Sequence, residues 1–227
     1  MARGENASDA VLAFADDVRR LMLAEAPGLR LLGTRAEAGA VIDGFSTRPQ
    51  RRAWNMQWTM GSRAFDEHAE ANATSRAFGT DLRLVVPLTS LRRTPLNVHI
   101  ETPMRIGAVP YPLLVVDEQA FLSGPLGTRL ADTFWAVEDP ELVERAARAY
   151  VTVWDAAVPL AESEAPQPLP PRTLQVALRL VDGYTDKEIA AAIGVSERTV
   201  SGEVKRVVEW AGARSRGHAV ALLVGAG

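Results

Sequence analysis

Cysteine is absent from the 227-residue chain. Neither a disulfide framework nor a thiolate-ligated metal site is therefore available to it. Lysine is almost absent: of 25 basic residues only Lys187 and Lys205 are lysines. Any chemistry needing an ammonium group is thus excluded from the first 186 positions. Long apolar runs are missing too. None approaches the ~20 residues of a membrane-spanning helix, and no amino-terminal stretch reads as a secretion signal. The expectation is a cytoplasmic protein without a membrane partner. A strong excess of one charge is also lacking, since the net charge is −3.

What is present suffices for a packed core. Hydrophobic residues make up 47% of the chain, and the length suits one large or two modest domains. The preference for arginine, with abundant alanine and valine, is that of a GC-rich genome and points to an actinobacterial source. The small net charge hides an asymmetry. From residue 166 onward there are eight basic and six acidic residues, against seventeen and twenty-two before it. The carboxy-terminal part is slightly basic and the rest acidic, as for a nucleic-acid module joined to an acidic partner domain.

The segment Thr185–Val200 (TDKEIAAAIGVSERTV) has the organisation of a helix, a tight turn and a second helix. Ile189 and Ile193 stand four apart and share one helix face. Gly194 follows, where a left-handed residue ends the helix at no steric cost. Val195 plugs the turn, and Ser196 is a good N-cap for the next helix. That helix runs from Glu197 to about Ala211, with Val200, Val204, Val207 and Val208 as its apolar stripe. Arg198, Thr199, Ser201, Lys205 and Arg206 leave a polar, partly basic surface, and the helix N-terminus favours a phosphate. Upstream, Arg172–Asp182 is an amphipathic helix closed by Gly183. Downstream, Arg214-Ser215-Arg216 opens a short last helix.

Four helices with these breaks resemble the LuxR-type (GerE-like) DNA-binding domain over about residues 167–227. The match is carried by Lys187-Glu188-Ile189-Ala190, by Gly194-Val195-Ser196-Glu197-Arg198-Thr199-Val200, and by Arg214-Ser215-Arg216 with Ala219-Val220. The resemblance implies phosphate contacts from Lys187, Ser196, Arg198 and Thr199, with Glu197 at the same helix start. It places Val200 and the residues after it, Ser201 among them, toward the groove, with Lys205 and Arg206 further along. It implies a dimer contact through His218, Ala219 and Leu222. Four departures stand out: Thr173 where the family often has Glu, Ser201 and Glu203 where it usually has a basic residue and a His or Tyr, and Trp210-Ala211 where a Lys-Leu pair usually ends the helix. A Glu203 facing DNA would repel phosphate, although an acid can also accept from cytosine N4.

Before this segment, residues 161–171 (AESEAPQPLPP) are acidic and then proline-rich, the composition of a semi-rigid spacer. The expected division is an α/β regulatory domain over 1–160, a linker over 161–171, and an all-α four-helix domain over 172–227. In the first domain, Ser8 reads as the cap of a helix over Asp9–Ala26, and Thr34-x-x-Glu37 is a capping box. The period-two run from Arg52 to Trp58 makes a strand with Trp54, Met56 and Trp58 on one face. A helix is expected over Arg63–Phe78, strands over Leu82–Val86, Met104–Val109 and Pro112–Val116, and a hairpin return over Ala120–Leu122. Asp139-Pro140 starts a last helix. Alternating helices and strands give an α/β domain with a central sheet.

This order, with Gly79–Pro87, Met104–Ile106 and Tyr111–Asp117, resembles the phospholipase-D-like domain of some actinobacterial LuxR-type and TrmB-type regulators. The hydrolase chemistry does not carry over. The HxKxxxxD pattern is missing after both His68 and His99, and no lysine is there to complete it. The expectation is no enzyme, no cofactor and no metal. Two roles remain for the strand face of Trp54, Met56 and Trp58. It lines an effector pocket with Arg52 or Arg105 holding an anionic group, or it is simply core beneath a helix. The overall expectation is a transcriptional regulator that binds double-stranded DNA as a homodimer, controlled by a small-molecule effector or a protein partner. The competing reading is a protein-interaction adaptor whose helix-turn-helix has lost DNA binding through Ser201 and Glu203.

Overall fold

The computed structural model describes residues 2–125 and 127–226. It divides into two compact units. Unit 1 comprises Met1–Thr59, Glu67–Pro87 and Glu101–Ser163; unit 2 comprises Met60–Asp66, Leu88–Ile100 and Glu164–Gly227. This differs from the expected single boundary at 161–171. Two segments from the first half of the chain, 60–66 and 88–100, belong to the carboxy-terminal unit.

In unit 1, α1 (Ala2–Leu23) is followed by β1 (Leu29–Gly33), α2 (Arg35–Ser46) and β2 (Arg52–Met56). Ser8 lies inside α1 rather than capping it, because the helix starts further upstream. The Thr34–Glu37 capping box forms as its spacing demands. The expected helix over 63–78 is broken at His68 into α3 (Ala64–Glu67), where the chain returns from unit 2, and α4 (Ala69–Ala77). Then come β3 (Asp81–Val86), the unit 2 segment holding α5 (Leu88–Arg93) and a 3-10 turn over Pro95–His99, and then β4 (Met104–Ile106), β5 (Leu113–Val116) and β6 (Gln119–Ser123) of unit 1. After β7 (Phe134–Val137) run α6 (Pro140–Ala156) and the two-residue β8 (Val158–Pro159). Asp139 caps α6, its carboxylate accepting from Leu142 N–H at 2.9 Å.

The strands form one mixed eight-stranded sheet in the order β1-β7-β6-β5-β2-β3-β4-β8. β2, β3 and β4 are parallel neighbours, and the remaining pairs are antiparallel. Asp117 turns the β5–β6 hairpin at φ 45°. Its carboxylate accepts from the amides of Arg51 and Arg52 at 2.9 and 3.0 Å, tying the turn to β2. One sheet face carries α1 and α6, with Tyr150 of α6 packed in one core with Trp54, Met56, Val115 and Leu122 of the sheet. The other carries α2, whose Ile42 and Phe45 pack on Phe121, Leu114 and Ala53. The period-two pattern of β2 thus sorts its side chains to two cores.

Unit 2 contains α7 (Pro171–Val181), α8 (Asp186–Ile193), α9 (Glu197–Trp210) and α10 (Arg216–Leu223). Val176, Leu180, Ile189, Val200, Val207 and Leu223 form its core together with Phe65, Leu96 and Leu169. Asn97, fully buried, organises the imported segments: its Oδ1 accepts from Phe65 N–H at 3.2 Å, and its amide donates to Gly61 O at 2.8 Å and Thr94 Oγ1 at 3.0 Å. The proline-rich stretch is only partly a spacer. Leu169 is buried, and its amide donates to His99 Nε2 at 3.3 Å.

Candidate nucleic-acid interface

The helix-turn-helix follows from local chemistry at each junction. Thr185 and Glu188 form a second capping box that starts α8. Gly194 ends it at φ 67°, ψ 38°, a left-handed conformation that a Cβ would strain. Ser196 then caps α9, its hydroxyl accepting from Thr199 N–H at 3.1 Å. The turn is therefore fixed at both ends, by the left-handed Gly194 and the capping Ser196. Arg216 braces the last helix against the start of α8, donating to Tyr184 O at 2.6 Å and pairing with Asp186.

Helix α9 has two distinct faces. Val200 and Val207 are fully buried, and Glu203 lies between them at 4% exposure. Arg198, Ser201, Gly202, Lys205, Arg206 and Glu209 are exposed. The exposed positions recur at three- and four-residue intervals, so they form one stripe along the helix. Of the residues expected at DNA, Lys187, Ser196, Glu197, Arg198, Ser201, Lys205 and Arg206 are exposed and Thr199 is half-buried. Val200 is not available to a groove: it belongs to the core and fixes the rotation of α9. Lys205 stands 3.8 Å from Glu209, an exposed pair of little consequence.

Glu203 does not face DNA. Its Oε2 accepts from the Thr173 hydroxyl at 2.7 Å, and its Oε1 from Arg206 at 2.9 Å. The Thr173 hydrogen bond, together with Arg206, holds its carboxyl below the ordinary glutamate range of about 4.5. The two departures at 173 and 203 are therefore partners across the core. The acid is spent inside the domain, which removes the phosphate repulsion expected of it and half the motive for the adaptor reading.

The residues expected at a dimer contact separate as well. Ala219 is fully buried within unit 2, so its side chain cannot serve an interface. His218 and Leu222 are half-buried, and His218 Nδ1 already accepts from Arg214 N–H at 3.0 Å. Trp210 packs into the unit 2 core, its Nε1 donating to Gln167 O at 2.8 Å. His99 is ring-packed beside Phe65, and burial pushes its imidazole below the ordinary value of 6.5.

Of the expected pocket residues in unit 1, Arg52 and Trp54 line one open depression. Met56 is fully buried, and Trp58 packs on Tyr111 with its Nε1 donating to Val109 O at 2.7 Å. Arg52, Trp54 and Arg105 belong instead to a stacked ladder. Arg52 lies 4.9 Å from the Trp54 ring, Arg83 4.5 Å from Trp54 and 5.3 Å from Trp154, and Arg105 4.6 Å from Trp154. Tyr150 stacks between the two indoles. At one end, Arg51, Arg52, Trp54, Asp81 and Glu144 line an open depression of about 410 Å³. Its Trp54 Nε1 and Asp81 are already joined at 2.9 Å.

The geometry of unit 2 defines a helix-turn-helix domain with an exposed polar recognition-helix face. Residues 167–223 match the model of the bacterial regulatory proteins of the luxR family, GerE. This segment is a LuxR-family helix-turn-helix domain. No curated protein matches the sequence. Among solved structures, the chain is similar to TrmBL2, an archaeal chromatin protein, at 13% identity and TM-score 0.45, over 69% of this chain and 65% of that one. It is similar to NucT from Helicobacter pylori at 14% identity and TM-score 0.45, over 58% and 98%. It is similar to the phage VqmA of a VqmA–DPO complex at 25% identity and TM-score 0.25, over 48% and 47%. The chain thus spans less than two thirds of the TrmBL2 and VqmA chains.

Proposed function

We propose that the protein reads a specific, pseudo-palindromic DNA site as a dimer through α9, and that unit 1 supplies the regulatory input. The carrying observation is the division of α9. Val200, Glu203 and Val207 are turned inward, so Arg198, Ser201, Lys205 and Arg206 share one exposed face of a capped helix. A duplex presents phosphates at the groove edges and base edges at its floor, and a helix bearing cations on one stripe fits both. Lys187 and Arg198 would hold phosphates, and Ser201 would face the bases. Each copy offers few cations, and affinity scales with phosphates neutralised, which favours a dimer on two half-sites about 10 bp apart. His218 and Leu222 on α10 are the residues of the expected dimer contact that retain exposed surface. The regulatory input is an effector or a partner bound to unit 1, and the protein works in the cytoplasm without catalysing a reaction.

The test is binding to duplex DNA across a salt series, for the wild-type chain beside Arg198→Ala. The expected result is wild-type affinity falling steeply with salt, and about tenfold weaker binding for the variant with a salt slope shallower by about one. Wild-type binding that ignores salt, or an unchanged R198A, overturns the assignment.

A further inference from the structure

Unit 2 is built from three separate stretches of chain, and the two shorter ones, 60–66 and 88–100, come from the first half of the sequence. They complete the interior of the helix-turn-helix. Leu96 is 1% exposed and, with Phe65, shares one core with Ile189, Val200, Val207 and Leu223. Three further contacts reach both ends of the helical array. Arg63 pairs with Asp182 at the C-cap of α7, at 2.8 Å. His99 Nε2 accepts from Leu169 N–H just ahead of α7. Gly225, after α10, runs so close to α5 that a Cβ on it would lie 3.1 Å from Arg93 O.

One side chain holds the two imported stretches to each other. Asn97, with no exposed surface, donates to Gly61 O and Thr94 Oγ1 and accepts from Phe65 N–H. The Phe65 amide lies in the first turn of α3, where a helix offers it no partner of its own. A core assembled from three stretches is costly to leave half made. With Leu96 and Phe65 withdrawn, the inward faces of the motif would border a cavity or water. We propose that the helix-turn-helix of this chain is conditional: it is ordered only while 60–66 and 88–100 are seated, and Asn97 is the latch that seats them. This goes beyond the DNA-binding reading and does not depend on it. Only Gln57–Thr59, Pro87 and Glu101–Pro103 separate these stretches from β2, β3 and β4, so an input to those strands has a covalent route to the latch.

The experiment is native-state hydrogen exchange on the full-length chain, without DNA, over a series of low denaturant concentrations. The amides of Phe65 and Asn97 report on the latch, those of Ile189, Val200 and Ala211 on the motif, and that of Leu84 on unit 1. The expected result is one common opening for latch and motif, with a single denaturant slope. Asn97→Ala removes the latch, and Thr173→Val perturbs the motif alone. Each should speed both sets by the same factor, about tenfold or more, and leave Leu84 at its wild-type rate. Latch amides that exchange through a smaller opening while Val200 stays protected overturn the proposal, because the motif then stands alone. So does an Asn97→Ala chain that speeds Phe65 and spares Val200 and Ala211. Where Asn97→Ala fails to fold, Thr173→Val decides: Phe65 exchange unmoved by it overturns the latch. Equal acceleration of Leu84 makes the opening global and overturns the latch as a separate device.

Discussion

Unit 1 and unit 2 put arginine to opposite uses. In unit 1, Arg52, Arg83 and Arg105 lie over the rings of Trp54 and Trp154, and each also has a hydrogen-bond or ion-pair partner: Asp117 O, Asp81 and Trp154 O respectively. In unit 2, Arg63 and Arg216 are likewise engaged with Asp182 and Asp186. Arg198 and Lys187, however, stand exposed with no ion-pair partner among the described residues. Counting cations therefore does not find a nucleic-acid surface. A guanidinium that already lies against an indole and holds a hydrogen-bond or ion-pair partner would have to give up part of what it holds in order to bind a phosphate. Only a cation left unpaired on a convex helix face is available without that loss.

The sharpest way to break the comparison is Trp54→Ala. Trp54 is 9% exposed and sits under two guanidiniums and Tyr150. The variant is expected to lose about 3–5 kcal/mol of stability, read by urea denaturation, with unchanged affinity of the folded protein for duplex DNA. A loss of DNA affinity comparable with that of Arg198→Ala would show that the ladder belongs to the binding surface. Thr173→Val comes next. It leaves the buried Glu203 carboxylate without its shortest donor, and about 1–3 kcal/mol should follow. Rescue is expected from Thr173→Ser, which keeps the hydroxyl. Arg198→Ala is the counterpart: about tenfold in DNA affinity, close to 1.4 kcal/mol, with stability changed by less than about 0.5 kcal/mol.

The smallest effect is one of pH. Burial lowers the His99 pKa in the folded chain, so the neutral ring is the form that accepts the Leu169 amide. A lowered folded value means that the stabilising contribution is complete above the ordinary 6.5. It is lost as the pH falls from there through the folded value. Unit 2 of the wild type should therefore lose stability between neutral and mildly acidic pH, and His99→Gln should flatten that slope. A slope unaltered in H99Q would assign it to other groups.

Much of unit 2 was legible because its signals are local. Gly194, Ser196 and the Thr185–Glu188 box each act within one turn of backbone, and the valine spacing of α9 states which face is inward. Read strictly, that spacing places Val200 in the core, where the structure has it; the expectation of a groove contact there came from resemblance rather than from periodicity. Glu203 was the opposite case. As one acid on a helix it was ambiguous, and its orientation depended on Thr173, thirty positions away.

In unit 1 the period-two pattern of β2 and the Asp139-Pro140 helix start were readable, whereas β7, β8 and α5 were not. A strand of two to four residues carries too little pattern to separate it from a loop, and its existence depends on the neighbour it pairs with. The chain's own residues thus determined what each short stretch can form: caps, turns, strand faces and the inward stripe of α9. Tertiary structure alone decided which polar groups are already used. It joined Thr173 to Glu203, laid three arginines on two indoles, and drew residues 60–66, 88–100 and Leu169 into the core beneath the helix-turn-helix. The physical reason is range. Backbone and capping preferences act over three or four residues, whereas the partner of a buried charge or an aromatic face is chosen by whatever the fold brings within a few ångströms.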